Sequence, residues 1–177
     1  ENPLPQGANL RAIWASSSSD AWAGGDGETL LHWNGSSWYL VQPATSTQSL
    51  LGMWGSGPND IWAVGTAGII RHYDGVSWKA VTSPVAQDLH AIWGSSAKDI
   101  WAVGNGFTRL HYNGTTWSAT TGTGVDLYGV FGNSANDVWT VGSSSHSSHW
   151  DGTSWTTVGT NVTSTLRGVW STGPNDV

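Results

Sequence analysis

Seven residues, HYDGVSW at 72–78, with Arg71 just before them, bring together an imidazole, a carboxylate, a hydroxyl and two aromatic rings. In isolation this is a compact catalytic cluster, because a positioned His beside a carboxylate is the usual equipment for proton transfer. The chain carries the cluster four times, however. HWNGSSW stands at 32–38, HYNGTTW at 111–117 and HWDGTSW at 149–155. A residue that recurs in every unit of a repeat is one that the unit needs. His72, Asp74, Gly75 and Trp78 therefore read as scaffold, with four equivalent ligand sites as the alternative.

Other chemistries fare no better on spacing. Glycoside cleavage needs two carboxylates at a fixed separation. The chain has two Glu, Glu1 and Glu28, and most Asp lie in repeated turns, leaving Asp26, Asp88 and Asp126 in different units. Calcium asks for several oxygens at close spacing, and the repeated turns offer one carboxylate each, at Asp60, Asp99 and Asp137. Those Asp are expected to accept backbone N–H bonds and fix the turn. His146 and His149 have the spacing of a metal pair on a helix, but in a strand residues three apart face opposite ways. No G-x-S-x-G, no phosphate loop and no Cys is present. The sequence thus assigns no catalytic residue, no metal and no cofactor, and points to a non-enzymatic binding module.

The elements that position these residues follow from the repeat. Units open with LRAIW, LLGMW, LHAIW, LYGVF and LRGVW at Leu10, Leu50, Leu89, Leu127 and Leu166, in steps of 40, 39, 38 and 39. Each holds four strand signals: L-x-[AG]-[IVM]-[WF]; then [AIV]-W-[AT]-[VG]-G after an Asp turn; then the strand ending in His-Tyr or His-Trp; then the strand opening at Trp. Asn-Gly and Asp-Gly between the last two are the preferred residues of a two-residue type I′ turn. That turn would set His72 opposite Ser77, and likewise His32 opposite Ser37, His111 opposite Thr116 and His149 opposite Ser154. Four antiparallel strands repeating every ~40 residues define a β-propeller blade. The expected fold is all-β, with blades at 10–49, 50–88, 89–126 and 127–165 and the first strand of a fifth at 166–177, within a single domain or propeller fragment. The first strands carry a small residue, Ala12, Gly52, Ala91, Gly129 and Gly168, as crowding at the axis requires. The aromatic two positions on (Trp14, Trp54, Trp93, Phe131, Trp170) is expected to fill the wedge between blades.

These units resemble those of secreted or surface β-propellers of bacteria, notably myxobacteria, of the form W-G-S-x-x-N-D-V-W-A-V-G … H-Y-D-G-x-S-W. MWGSGPNDIWAVG at 53–65 with HYDGVSW carries the likeness best. The hairpin is also similar to the Asp-box of sialidase-like propellers, S-x-D-x-G-x-T-W, with one residue fewer between Asp and Gly. A D-G-x-x-W hairpin likewise occurs in small fucose-binding propeller lectins, whose sugar-binding Arg and Glu do not transfer onto this chain residue by residue. The resemblance implies the fold, and a lectin-like role by analogy.

Composition narrows the partners. Net charge is −6 with six scattered Lys plus Arg, so no basic patch is available for nucleic acid or an anionic membrane surface. No apolar run reaches the ~20 residues of a spanning helix. The first residue is Glu1, which suggests a removed leader or a piece of a longer chain and an extracellular or cell-surface location. Sequons at Asn34, Asn113 and Asn161 coincide in form with hairpin turns. Function is expected where the blades differ: in the second turns (26–28, 66–68, 105–107, 143–146), in the interblade links, and at the residue after each leading Leu. The candidate ligand-binding residues are Arg11, Glu28, His90, Arg109, Tyr128 and Arg167. Glycans head the expected partners, held in Trp-rich grooves between blades or on the variable-loop face, with a protein-interaction or adhesion platform, or a purely structural scaffold, as the alternative and a glycosidase-type hydrolase as a remote one. A sequence that stops at GPNDV, mid-blade, predicts self-association or the remainder of a longer propeller.

Overall fold

The structure, a computed structural model, describes residues 7–173 and 176–177. Among them are sixteen strands in four antiparallel sheets. Blade 1 holds β1 (Leu10–Ser17), β2 (Asp20–Gly25), β3 (Leu30–Trp33) and β4 (Trp38–Gln42). Blade 2 holds β5 (Leu50–Gly57), β6 (Asp60–Gly65), β7 (Ile70–Tyr73) and β8 (Trp78–Val81). Blade 3 holds β9 (Leu89–Ser96), β10 (Asp99–Gly104), β11 (Thr108–Tyr112) and β12 (Trp117–Thr120). Blade 4 holds β13 (Leu127–Ser134), β14 (Asp137–Gly142), β15 (Ser147–Trp150) and β16 (Trp155–Thr157). Each sheet is a meander in sequence order, and β1, β5, β9 and β13 follow one another along the inner side. This is a β-propeller, as the period predicts.

The second strands explain the architecture. DAWAGG, DIWAVG and DIWAVG are buried at every position after the Asp. A strand reads as continuously apolar when both faces of its sheet are covered, and here each blade is covered by its neighbours. The core accordingly lies in three layers between blades. Trp22, Leu30, Leu50 and Ile61 fill the first, Trp62, Ile70, Leu89 and Leu110 the second, and Trp101, Leu127 and Val138 the third.

Small residues sit where the blades approach. A Cβ on Gly52 would lie 3.2 Å from the Ala91 Cα, and one on Gly129 3.3 Å from the Gly168 Cα. The wedge aromatics stand where expected. Trp14, Trp54 and Trp93 each lie over a glycine of the next blade, so that a Cβ on Gly55, Gly94 or Gly132 would come within 2.8, 2.7 and 2.7 Å of the respective ring. Gly168 keeps the place of a fifth first strand against blade 4, and the Leu166 N–H donates to Gly142 O. No second strand among the described residues pairs with that segment. Nor does a described residue cover the outer face of blade 1: Ile13 is 67% exposed, whereas its counterparts Met53, Ile92 and Val130 are each 8% exposed.

Two turn assignments need correction. The outer hairpin pairs Tyr73 with Trp78 and His72 with Lys79, so its loop has four residues, 74–77, and His72 does not face Ser77. The cause is the Asp74 side chain. Its Oδ1 accepts the N–H groups of Val76 (3.0 Å) and Ser77 (2.9 Å), closing a wider turn in which Gly75 alone takes positive φ, at 88°. Asn34, Asn113 and Asp151 do the same. Turns with positive φ at both central residues occur instead in the second hairpin, at Gly27–Glu28, Ala67–Gly68, Gly106–Phe107 and Ser144–Ser145. That is the type I′ geometry that matches strand twist.

Candidate functional site

The repeated His finds its partner in the preceding turn. His72 Nε2–H donates to Asp60 Oδ1 at 2.6 Å, and His32 to Asp20 (2.5 Å), His111 to Asp99 (2.6 Å) and His149 to Asp137 (2.7 Å). The other carboxylate oxygen takes a side-chain donor at the end of the first strand: Ser56 to Asp60 at 2.5 Å, with Ser16, Ser95 and Asn133 in the sister units. Each His ring also stacks on the Trp of its second strand, at 4.2, 4.1, 4.2 and 4.5 Å between centroids. The expectation that these Asp serve backbone N–H groups is therefore wrong: each is a side-chain hub tying three strands. The strand order decides this, since Asp and His stand at adjacent ends of neighbouring strands. Burial alone would raise Asp137, but hydrogen bonds from Asn133, His149 and Trp139 outweigh it and hold the carboxyl below its usual range. The same balance, with His32 and Ser16 as donors, lowers Asp20. Asp60 and Asp137 each accept from a third side chain as well, the indole N–H of Trp62 or Trp139, both at 3.1 Å.

Outside the hubs lie the grooves between blades. Trp78 packs edge-on against Trp22 of the previous blade (5.4 Å), and Tyr73 leans on the same ring (4.9 Å). Trp117 and Tyr112 repeat this on Trp62, at 5.5 and 4.9 Å. Each aromatic box opens into a groove. The one between blades 2 and 3 measures about 500 Å³ and is lined by Trp62, His72, Val81, Thr82, Ser83, Pro84, Tyr112, Thr115, Thr116 and Trp117. The one between blades 1 and 2 measures about 410 Å³ and is lined by Trp22, His32, Tyr39, Val41, Gln42, Tyr73, Val76, Ser77 and Trp78. Neither lining includes an Asp, Glu, Lys or Arg. The buried indole N–H groups of Trp78 and Trp117 have no hydrogen-bond partner. The unmet donor has no signature in the sequence.

The charged candidates are dispersed. Arg11 pairs with Asp26 at 2.5 Å. Glu28 is 4% exposed and paired with Arg71 of the next blade at 2.5 Å, so its carboxylate is committed to the interface. His90 Nε2 bonds Asn105 Oδ1 (2.6 Å) and its ring lies 5.1 Å from Tyr128, over which Arg167 sits at 5.1 Å. These three form a row along the first strands. Arg109 stands apart, buried between blades 3 and 4. Asp88 and Asp126 accept the turn N–H groups of Ala67 (2.8 Å) and Gly106 (2.9 Å), so they brace second turns. Second turns and links do share a face, as Thr45 N–H to Gly27 O and Gly122 N–H to Gly106 O show. His146 and His149 diverge, the latter into its hub and the former against Phe107 at 5.1 Å. Among the described residues no group of three His, Asp or Glu converges as a metal site, and no helix is long and apolar enough to cross a membrane.

No family model matches the chain, and no curated protein matches it. Among solved structures it is similar to YCF48 bound to D1 peptide, with a TM-score of 0.73 and 18% identity over 96% of this chain. The chain spans 59% of that one. At that identity the likeness speaks to the fold: a propeller of which this chain matches part.

Proposed function

We propose that this chain is a non-catalytic binding module whose interblade grooves hold a neutral carbohydrate. The observation that carries the reading is the pair of neighbouring grooves with the same chemistry: aromatic rings and hydroxyls, with no Asp, Glu, Lys or Arg in either lining. Sugar C–H faces stack on such rings, and sugar hydroxyls exchange hydrogen bonds with lining hydroxyls such as those of Ser77 and Thr116. The absence of paired carboxylates from the linings speaks for holding a sugar over cleaving it. Two grooves on one rigid array favour a repeating glycan, since a second contact by the same ligand raises avidity. A secreted or surface location suits that role and the bacterial propeller resemblance. The test is titration with a broad panel of neutral oligosaccharides, read by Trp fluorescence, with Trp117→Ala expected to remove the response of one groove. Silence across the panel overturns the reading.

A second reading, a protein-interaction platform, is favoured by one observation: the similar propeller structure is peptide-bound. An extended segment lays its side chains against the same aromatic rings. Binding of unstructured peptides that competes at Trp78 and Trp117, without any glycan response, selects it. The open face of blade 1, where Leu10, Arg11, Ala12, Ile13, Ala23 and Trp38 line a hollow of about 340 Å³, is a seat for a further blade, whether from a longer chain or a second copy.

A further inference from the structure

The interface between blades 3 and 4 departs from the repeat at Arg109 and at the buried Thr140 and Ser148 that face it. Two residues before the hub His, blades 1 and 2 carry Leu30 and Ile70, exposed by 0% and 1%; blade 3 carries Arg109, exposed by 4%. The fold asks for an apolar side chain there and receives a cation. Its guanidinium lies between the rings of Phe107 (4.1 Å) and Trp155 (4.4 Å), and Nη2 donates to Ser148 Oγ (2.6 Å) and Thr140 Oγ1 (3.4 Å). Nε is buried without a partner, and no carboxylate among the described residues pairs with this Arg. Beside it the buried Nε2 of His146 is also unpartnered. Burial pushes both groups below their ordinary values, Arg109 to about 10, and the Arg109 charge lowers His146 further. The contrast is Arg71, one blade earlier, which has Glu28. Phe107, His146 and Trp155, beside Arg109, are half-buried. Phe107 is held at a φ of 57°, a costly conformation for a bulky residue, with its N–H bonded to Val125 O.

An uncompensated buried cation with unused donors is costly to the fold and suited to an anion. We infer that the blade 3/4 interface is a carboxylate seat: Arg109, with His146 beside it, takes the carboxylate of a uronic-acid sugar, whose ring lies against Phe107 and Trp155. The choice of a sugar rests on the carbohydrate reading of the neighbouring grooves. The seat makes the third interface selective for an acidic residue where the first two take neutral ones.

The test titrates this chain with a glucuronate-bearing disaccharide, its neutral analogue with CH2OH in place of the carboxylate, and an N-acetyl dipeptide with a free α-carboxylate. The readouts are calorimetry and the NMR signals of the Trp155 indole and the His146 ring. The acidic disaccharide is expected to move both signals, and Arg109→Leu to weaken it at least about tenfold. Leucine occupies the sister site, so the variant keeps its fold. Arg109→Lys retains charge without the planar fork and is expected to fall between. Equal uronate binding by wild type and Arg109→Leu overturns the seat, and so does no uronate binding at all. Arg109-dependent binding of the dipeptide alone overturns the sugar assignment. Absence of any neutral-glycan response in the wild type, with uronate binding intact, sinks the neutral-groove reading and leaves the seat standing.

Discussion

Replacing Arg109 by leucine should make the protein more stable. Burial moves the guanidinium from its ordinary 12.5 to about 10. At about 1.4 kcal/mol per tenfold change, keeping the charge there costs on the order of 3 kcal/mol. Leucine forfeits the stacking on Phe107 and Trp155, worth about 1–2 kcal/mol in all, and the hydrogen bond to Ser148, worth up to about 1 kcal/mol net. It gains about 1 kcal/mol from fuller apolar burial. The hydroxyls left behind are not orphaned, because Thr140 Oγ1 and Ser148 Oγ already bond each other at 2.8 Å. The net is about 1–3 kcal/mol in favour of leucine, a gain obtained by removing a functional group, as stability–function trade-offs commonly run. Urea denaturation at pH 7 measures it: with a slope of about 2 kcal/mol/M, the midpoint should rise by about 0.5–1.5 M. A midpoint that falls by 0.5 M or more refutes the reasoning, since the cation would then be a net contributor to the interface.

Glu28→Ala leaves Arg71 unpaired between blades 1 and 2 and should cost about 2–4 kcal/mol. Glu28→Ala with Arg71→Leu should recover most of that, because Leu31 and Leu110 hold the sister positions fully buried; a double mutant no better than the single one contradicts this. Gly94→Ala forces a Cβ to 2.7 Å from the Trp54 ring and should cost about 1–3 kcal/mol by chemical denaturation, although Ala15 is accommodated in blade 1, where no Trp lies over it. Thermal stability should respond to acid in two steps. His146, with its folded value lowered by burial, binds its proton less readily when folded, so stability declines as pH falls through 6.5. Asp20 and Asp137 are lowered by their hubs, so their contribution is present above about pH 4 and is lost below it. A melting temperature flat from pH 7 to pH 3 contradicts both, and His146→Gln should erase the first step alone.

The blade count, the strand order and the tiny residue on each first strand were all legible in the sequence, because they depend on local pattern repeated at one period. So were the wedge positions of Trp14, Trp54 and Trp93 and the shared face of second turns and links. The outer hairpin was misread because Asx-Gly serves two turns alike: a two-residue loop with two positive φ values, and a four-residue loop closed by the Asp74 carboxylate. The true type I′ turns, at Gly106–Phe107 and its counterparts, have no Asx-Gly as their central pair in any of the four blades. A two-residue loop sets His72 opposite Ser77; the four-residue loop moves Ser77 away, and the partner is Asp60, across the blade.

Composition and period therefore determined what every blade shares. Only the tertiary structure decided what the blades do not share, because those contacts cross from one sheet to the next. Glu28 meets Arg71 over 43 residues, and Trp78 and Trp117 close their grooves against the preceding blade. Arg109 faces hydroxyls where its neighbours face hydrocarbon. A strand's alternation fixes which way a side chain points; what it meets depends on how the next blade is laid against it.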